Sequence, residues 1–201
     1  MRRAGIFRSF LMLLLAVSPL LAQDNSFKIY GGLAYVSPLS DENVDIDGVV
    51  DSLQASSEAG WNLGVEFRFN KLLGLELDGV HATQDIEFGG NTIADVDFTP
   101  LSATLDFHLI HTKVIDLYLG PTASYIIWGD INVKDANFGD DNGADNQFAW
   151  GALVGLDIGF GKTFAITLGV RWLDVDLKPD GSSDSVGVDP LISRLGVAFR
   201  F

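Results

Sequence analysis

Acyl-transfer or hydrolytic chemistry needs a nucleophile, a base within hydrogen-bond reach and a group that orients the base. The 201-residue sequence has three histidines and no cysteine, which excludes thiolate chemistry and leaves His81, His108 and His111 as the only imidazole bases. His81 precedes Asp85 by four residues, but no serine is placed to complete a triad with them, so no catalytic residue is assigned. The stretch from Asn43 to Gln54 partly matches a calcium-binding loop, with Asp45, Asp47 and Gly48 in the correct positions. It begins on Asn43, however, and has Gln54 where the bidentate glutamate belongs. No metal site or cofactor is assigned.

The remaining chemistry-bearing residues are charges that recur at every second position, and that spacing points to the elements carrying them. Strand side chains alternate between two faces. The closing stretch "DPLISRLGVAFRF" puts Leu195, Val197, Phe199 and Phe201 on one face, with Arg194, Gly196, Ala198 and Arg200 on the other. "AGWNLGVEFRF" sets Trp61, Leu63, Val65, Phe67 and Phe69 against Asn62, Gly64, Glu66 and Arg68. "PLSATLDFHLI" sets Leu101, Ala103, Leu105, Phe107 and Leu109 against Ser102, Thr104, Asp106 and His108. Further alternating segments are "SFKIYGGLAYV", "LLGLELDGVHA", the stretch from Val114 to Trp128, "FAWGALVGLDIGF" and "FAITLGVRWL". Eight segments result, each with one apolar face and one face of small residues and isolated charges.

Residues 1–22 read as an export signal, with Arg2, Arg3 and Arg8 before the apolar run "FLMLLLAVSPLLA". Residues 23–201 then form one domain. Formal charge is −14 for the full chain and −17 once the three leader arginines are removed, which argues against nucleic-acid partners.

A soluble sandwich would also alternate. These segments, however, run to the ~9–11 residues that cross a bilayer at a tilt. Their connections also alternate, with short links at "NK", "HTK" and "GK" and four long ones elsewhere. An up-and-down membrane barrel has short periplasmic turns and long outer loops. The expected fold is therefore all-β: a closed, eight-stranded, antiparallel transmembrane barrel in a bacterial outer membrane. The four tryptophans fall near outer strand ends, with Trp61, Trp150 and Trp172 in the interface set. Phe199 and Phe201 fall at the periplasmic interface, where aromatic rings collect. Lipids and lipopolysaccharide are the surrounding partners. The acidic loops "SDENVDIDGVVDS" and "KDANFGDDNGADNQ" read as solvated segments, bridged to lipopolysaccharide phosphates by divalent ions at most. The terminal aromatic strand matches a signal for the barrel-assembly machinery.

Inside a barrel of this size the lumen is just wide enough for side chains or one small ligand. The inward set comprises Glu66, Arg68, Glu76, Asp78, Asp106, His108, Asp116, Asp157, Arg171, Arg194 and Arg200. These opposite charges are expected to pair as a structural network, because unpaired buried charge is costly. Pro100 and Pro121 fall on neighbouring strands four and five, where a closed barrel has no edge to hide a missing donor.

At "FTPLSATLDFHL", "VIDLYLGPTASYIIWGDI" and "DPLISRLGVAFRF" the chain resembles the OmpW family of outer-membrane proteins. Pro121 departs from that pattern, which usually has a small residue there. The resemblance implies a narrow apolar interior open to the outside and passive passage of small hydrophobic molecules. It also implies that Pro100 weakens wall pairing and gives the ligand a sideways exit, with Pro121 and Trp128 completing the pocket or gate. A second reading puts Pro100 at the first residue of its strand, where it costs little. The alternative function is a structural or adhesive barrel with a filled lumen and acidic surface loops.

Overall fold

The computed structural model describes residues 27–39, 42–46, 49–88, 91–129, 132–134, 145–177, 186–187 and 189–201. The leader at 1–22 and most of "KDANFGDDNGADNQ" lie outside the described residues. Eight strands make the wall. They are β1 (Phe27–Ser37), β4 (Glu58–Arg68), β5 (Leu73–Phe88), β6 (Asn91–His111), β7 (Ile115–Trp128), β9 (Gln147–Phe160), β10 (Phe164–Asp174) and β13 (Leu191–Arg200). Short strands on the outer side are β2 (Glu42–Ile46), β3 (Val49–Ala55), β8 (Asn132–Val133), β11 (Asp176–Leu177) and β12 (Val186–Gly187).

Each wall strand pairs antiparallel with its two neighbours, in the order β1-β4-β5-β6-β7-β9-β10-β13. β13 returns to β1 over Lys28↔Arg200 to Ser37↔Leu191 and closes the cylinder. The Phe201 N–H donates to the Phe27 carbonyl at 2.8 Å, so the terminal aromatic is tied to the first strand. Closure leaves no row of unpaired backbone groups at the ends of the sheet, which a bilayer would penalise.

The short turns are built by local chemistry. Asn70 Oδ1 accepts from the Leu72 and Leu73 amides, and Thr112 Oγ1 accepts from those of Val114 and Ile115. Gly161 adopts φ 77°, a conformation that favours glycine.

Alternation is nearly unbroken. β10 switches strictly between exposed and buried positions along its whole length. Leu33, Leu63, Leu195 and Val197 are more than half exposed on the outer face, a surface suited to lipid rather than water. Trp61, Trp150, Trp172, Phe199 and Phe201 also point outward. Trp128 differs from the other tryptophans: its ring is 7% exposed and turned into the lumen.

Two expectations are corrected by the length of the outer hairpin. β5 and β6 stay paired well past the point where the segments were expected to end, through to Phe88↔Asn91. Pro100 is therefore in the interior of a 21-residue strand and not at its first residue. The calcium-like segment forms the β2–β3 hairpin, paired from Glu42↔Leu53 to Ile46↔Val49, and this is not the geometry of a calcium loop.

Candidate functional site: a charged floor, an apolar outer chamber and a gap in the wall

The lumen divides by height. Toward the periplasm it is filled by paired charges. The Arg171 guanidinium donates to both carboxylate oxygens of Asp78, at 2.9 and 2.6 Å, and to Glu76 at 3.3 Å. Arg194 donates to Glu76 (3.0 Å), Asp78 (3.2 Å) and the Tyr30 hydroxyl (2.8 Å). Lys28 sits between Glu66 (2.6 Å) and Asp157 (3.0 Å), and Arg200 reaches Asp157 at 3.2 Å. Arg68 joins Glu66 to Asp116, and His108 lies 2.8 Å from Asp116 and 3.2 Å from Glu66.

These contacts bring together nine of the ten inward charges assigned to the network, together with Lys28 and His108. Asp106 is the exception: it is buried in the lumen, but neither carboxylate oxygen has a hydrogen-bond partner. Lys28 was legible as inward from the parity of Phe27 and Ile29 but was not in the expected set. The floor can hold the barrel closed at its periplasmic end.

Above the charges come two hydroxyl pairs, Thr104 with Thr122 at 2.8 Å and Ser102 with Ser124 at 2.7 Å. Higher still, the inward side chains are apolar: Ala34, Val36, Val80, Ala82, Val96, Phe98, Ile126, Trp128, Leu173 and Ile192 form one cluster. The Phe98 and Trp128 rings are 5.1 Å apart at its centre.

Pro100 opens onto this apolar level. Along the β5–β6 seam the ladder runs to Gly79↔Leu101 and resumes at Ala82↔Phe98, leaving Val80 and His81 unpaired with Thr99 and Pro100. The register is the same on both sides of the break, so the cause is chemical. A side chain on Gly60 of β4 would strike the His81 carbonyl, so the backbone polar groups of His81 face β4. Those of Val80 therefore face β6 and Pro100, whose ring nitrogen carries no hydrogen. One side-chain bond spans the break, His81 Nδ1 to Thr99 Oγ1 at 2.9 Å. His81 thus bonds Thr99, whereas Asp85, its sequence neighbour in the catalytic reading, is paired with Lys134 at 3.0 Å.

Pro121 makes a similar break one seam further on. The β6–β7 ladder skips Leu105 and Asp106 opposite Gly120 and Pro121. Its interior side is different, because this break lies at the level of Asp106 and the charged floor. Pro121 itself faces outward and is exposed. Pro121 therefore stands apart from an apolar gate that Pro100 and Trp128 share.

Immediately below the Pro100 gap, the outer wall carries a trough of ≈ 590 Å³. Gly79, Ala103 and Ala123 are its small residues, flanked by Leu63, Leu101, Tyr125 and Phe148. Thr99, His81 and the trough were not singled out in sequence, because the pairing of Thr99 with His81 depends on the β5–β6 register.

The family model for the outer membrane protein β-barrel domain matches residues 9–201, nearly the whole sequence. The chain belongs to that family. As a member it is a bacterial outer-membrane protein, and the outward apolar face described above is the one that meets lipid. Among solved structures, the barrel is similar to OprG from Pseudomonas aeruginosa, with a TM-score of 0.77 and 18% identity over 89% of this chain and 97% of OprG. It is also similar to AlkL in lipid bilayers, with a TM-score of 0.64 and 14% identity over 90% of this chain and 92% of AlkL. For outer membrane protein W of E. coli the TM-score is 0.55, with 18% identity over 90% of this chain and all (100%) of that one. At these identities the likeness carries the fold alone. No curated protein matches the sequence.

Proposed function

We propose that this barrel assists passive diffusion of small apolar molecules from the outside into the outer membrane, with lateral exit through the β5–β6 seam. The observation that carries the reading is the break at Pro100, with an apolar chamber on its inner side and an apolar trough on its outer side. A solute entering from above meets a charged floor and has no apolar route to the periplasm. Its lowest-cost path is sideways, where the wall lacks backbone bonds and only the His81–Thr99 contact must open. Neither energy coupling nor a cofactor is needed. Membership of a family of outer-membrane barrels fits a passive role of this kind.

The tight ring pair of Phe98 and Trp128 favours a second reading, a filled structural or adhesive barrel whose acidic loops contact ions, lipopolysaccharide or another surface. Uptake of an apolar dye by lipid vesicles separates the two. Faster entry than with an equal amount of a solid-core barrel supports transport. Equal entry leaves the structural reading.

A further inference from the structure

The outer chamber is not uniformly apolar. Among the described residues, four buried polar atoms at this level have no hydrogen-bond partner: Oδ1 and Nδ2 of Asn62, Nε2 of Gln84 and Nε1 of Trp128. Their residues are 3%, 1% and 7% exposed, so bulk water does not serve them. They surround the gap. Asn62 is the β4 partner of Val80, Gln84 lies four residues further along β5, and Trp128 lies two residues beyond Ile126, the β7 partner of Pro100. An unsatisfied buried donor or acceptor costs roughly 1–3 kcal/mol, a penalty that a leucine, methionine or phenylalanine at these positions would avoid.

We propose that the outer chamber takes small amphiphiles, an apolar body with one uncharged hydrogen-bonding head such as a ketone, ester or alcohol, in preference to plain hydrocarbons. The inference rests on the transport reading above and specifies the class of solute. The body packs against Val80, Phe98 and Ile126. The head accepts from the Trp128 indole or the Gln84 amide, and Asn62 serves either polarity. A charged head is excluded by the floor. Lys28, Arg68, Arg171, Arg194 and Arg200 are each already bonded to a carboxylate, so no cation there is free for an anionic head. Both oxygens of Asp78, an acid of the row below Asn62, are held by arginine, so a cationic head finds no partner there.

The test uses the full barrel in lipid with nitrogen-15 in its tryptophan indoles and carbon-13 in its isoleucine methyls. It is titrated with 2-octanone and, separately, with n-octane. The Ile126 methyl reads occupancy by either probe, and the Trp128 indole N–H, assigned through Trp128→Phe, reads the head. The expected result is saturable binding of both probes with 2-octanone tighter by about tenfold, the worth of one buried hydrogen bond. Only 2-octanone should move the indole resonance. Asn62→Leu and Gln84→Met should narrow the preference while leaving n-octane binding intact. Equal affinities, or an indole indifferent to 2-octanone, overturn the amphiphile preference and leave transport standing. Neither probe reaching Ile126, with no faster entry into vesicles, overturns both.

Discussion

Replacing Pro100 with alanine restores the one backbone donor whose absence explains the β5–β6 gap. The alternation of carbonyl directions makes Val80 and Pro100 the facing pair whose amides and carbonyls point at each other across the seam. With alanine, the new N–H can donate to Val80 and the return bond can form as well. One net backbone hydrogen bond is worth about 1 kcal/mol and two about 2 kcal/mol. If solute leaves through a rarely populated open seam, the rate follows that population. Closure by those amounts lowers it about fivefold to about thirtyfold. The assay is entry of a small apolar dye into vesicles holding equal amounts of folded wild-type or Pro100→Ala barrel. Folding is read from the heat-dependent gel shift typical of barrels, and the restored seam from slowed amide exchange at Val80 and residue 100. Entry within twofold of wild type, with those amides newly protected, would refute the seam as the route.

The opposite perturbation is Thr99→Val, which keeps shape and removes the hydroxyl that meets His81 across the gap. Entry is expected to rise about fivefold, the worth of one hydrogen bond, and an unchanged rate would show that this contact does not hold the seam. Arg171→Met leaves Glu76 and Asp78 short of a buried cation and should cost about 3–5 kcal/mol, read as a lowered urea midpoint for unfolding from lipid. A loss below about 1 kcal/mol would mean that Arg194 alone neutralises both acids. On the outer hairpin, hydrogen bonds from Lys134 to Asp85 and Asp95 hold its ammonium above the usual lysine value. The ordering this gives to β8 is present below the ordinary lysine range and is lost as pH rises through the raised value. Side-chain NMR of Lys134 should show that upward displacement, and Asp85→Asn should reduce it. A titration unchanged by Asp85→Asn would remove the assigned cause.

Much of this protein is legible in the order of its residues because a membrane barrel has a two-residue repeat and no second layer. Outward Leu195, Val197 and Phe199 and inward Arg194 and Arg200 follow from parity alone, since a strand side chain has only two directions to choose between. The short "HTK" and "GK" links against long outer connections set the up-and-down topology, and the terminal aromatic strand is the one that closes the wall. The sequence also placed the lumen charges, although not their pairing, which depends on how eight strands are staggered around the cylinder.

Tertiary structure alone decided where the site opens. Pro100 and Pro121 have the same chemistry in sequence, each removing one donor from a wall strand. Only the register puts the missing Pro100 donor opposite Val80 beside an apolar chamber, and the missing Pro121 donor at the level of Asp106 and the charged floor. Trp128 falls near the outer end of its strand, as Trp61, Trp150 and Trp172 do, but its position in the alternation turns the ring toward Phe98 instead of lipid. The same holds for Thr99 and His81, which lie 18 residues apart in the chain and meet because the β5–β6 hairpin continues outward past the expected strand ends. Periodicity fixes which face a residue occupies. Stagger between strands fixes its neighbours, and for this barrel the neighbours determine which break in the wall can serve as an exit.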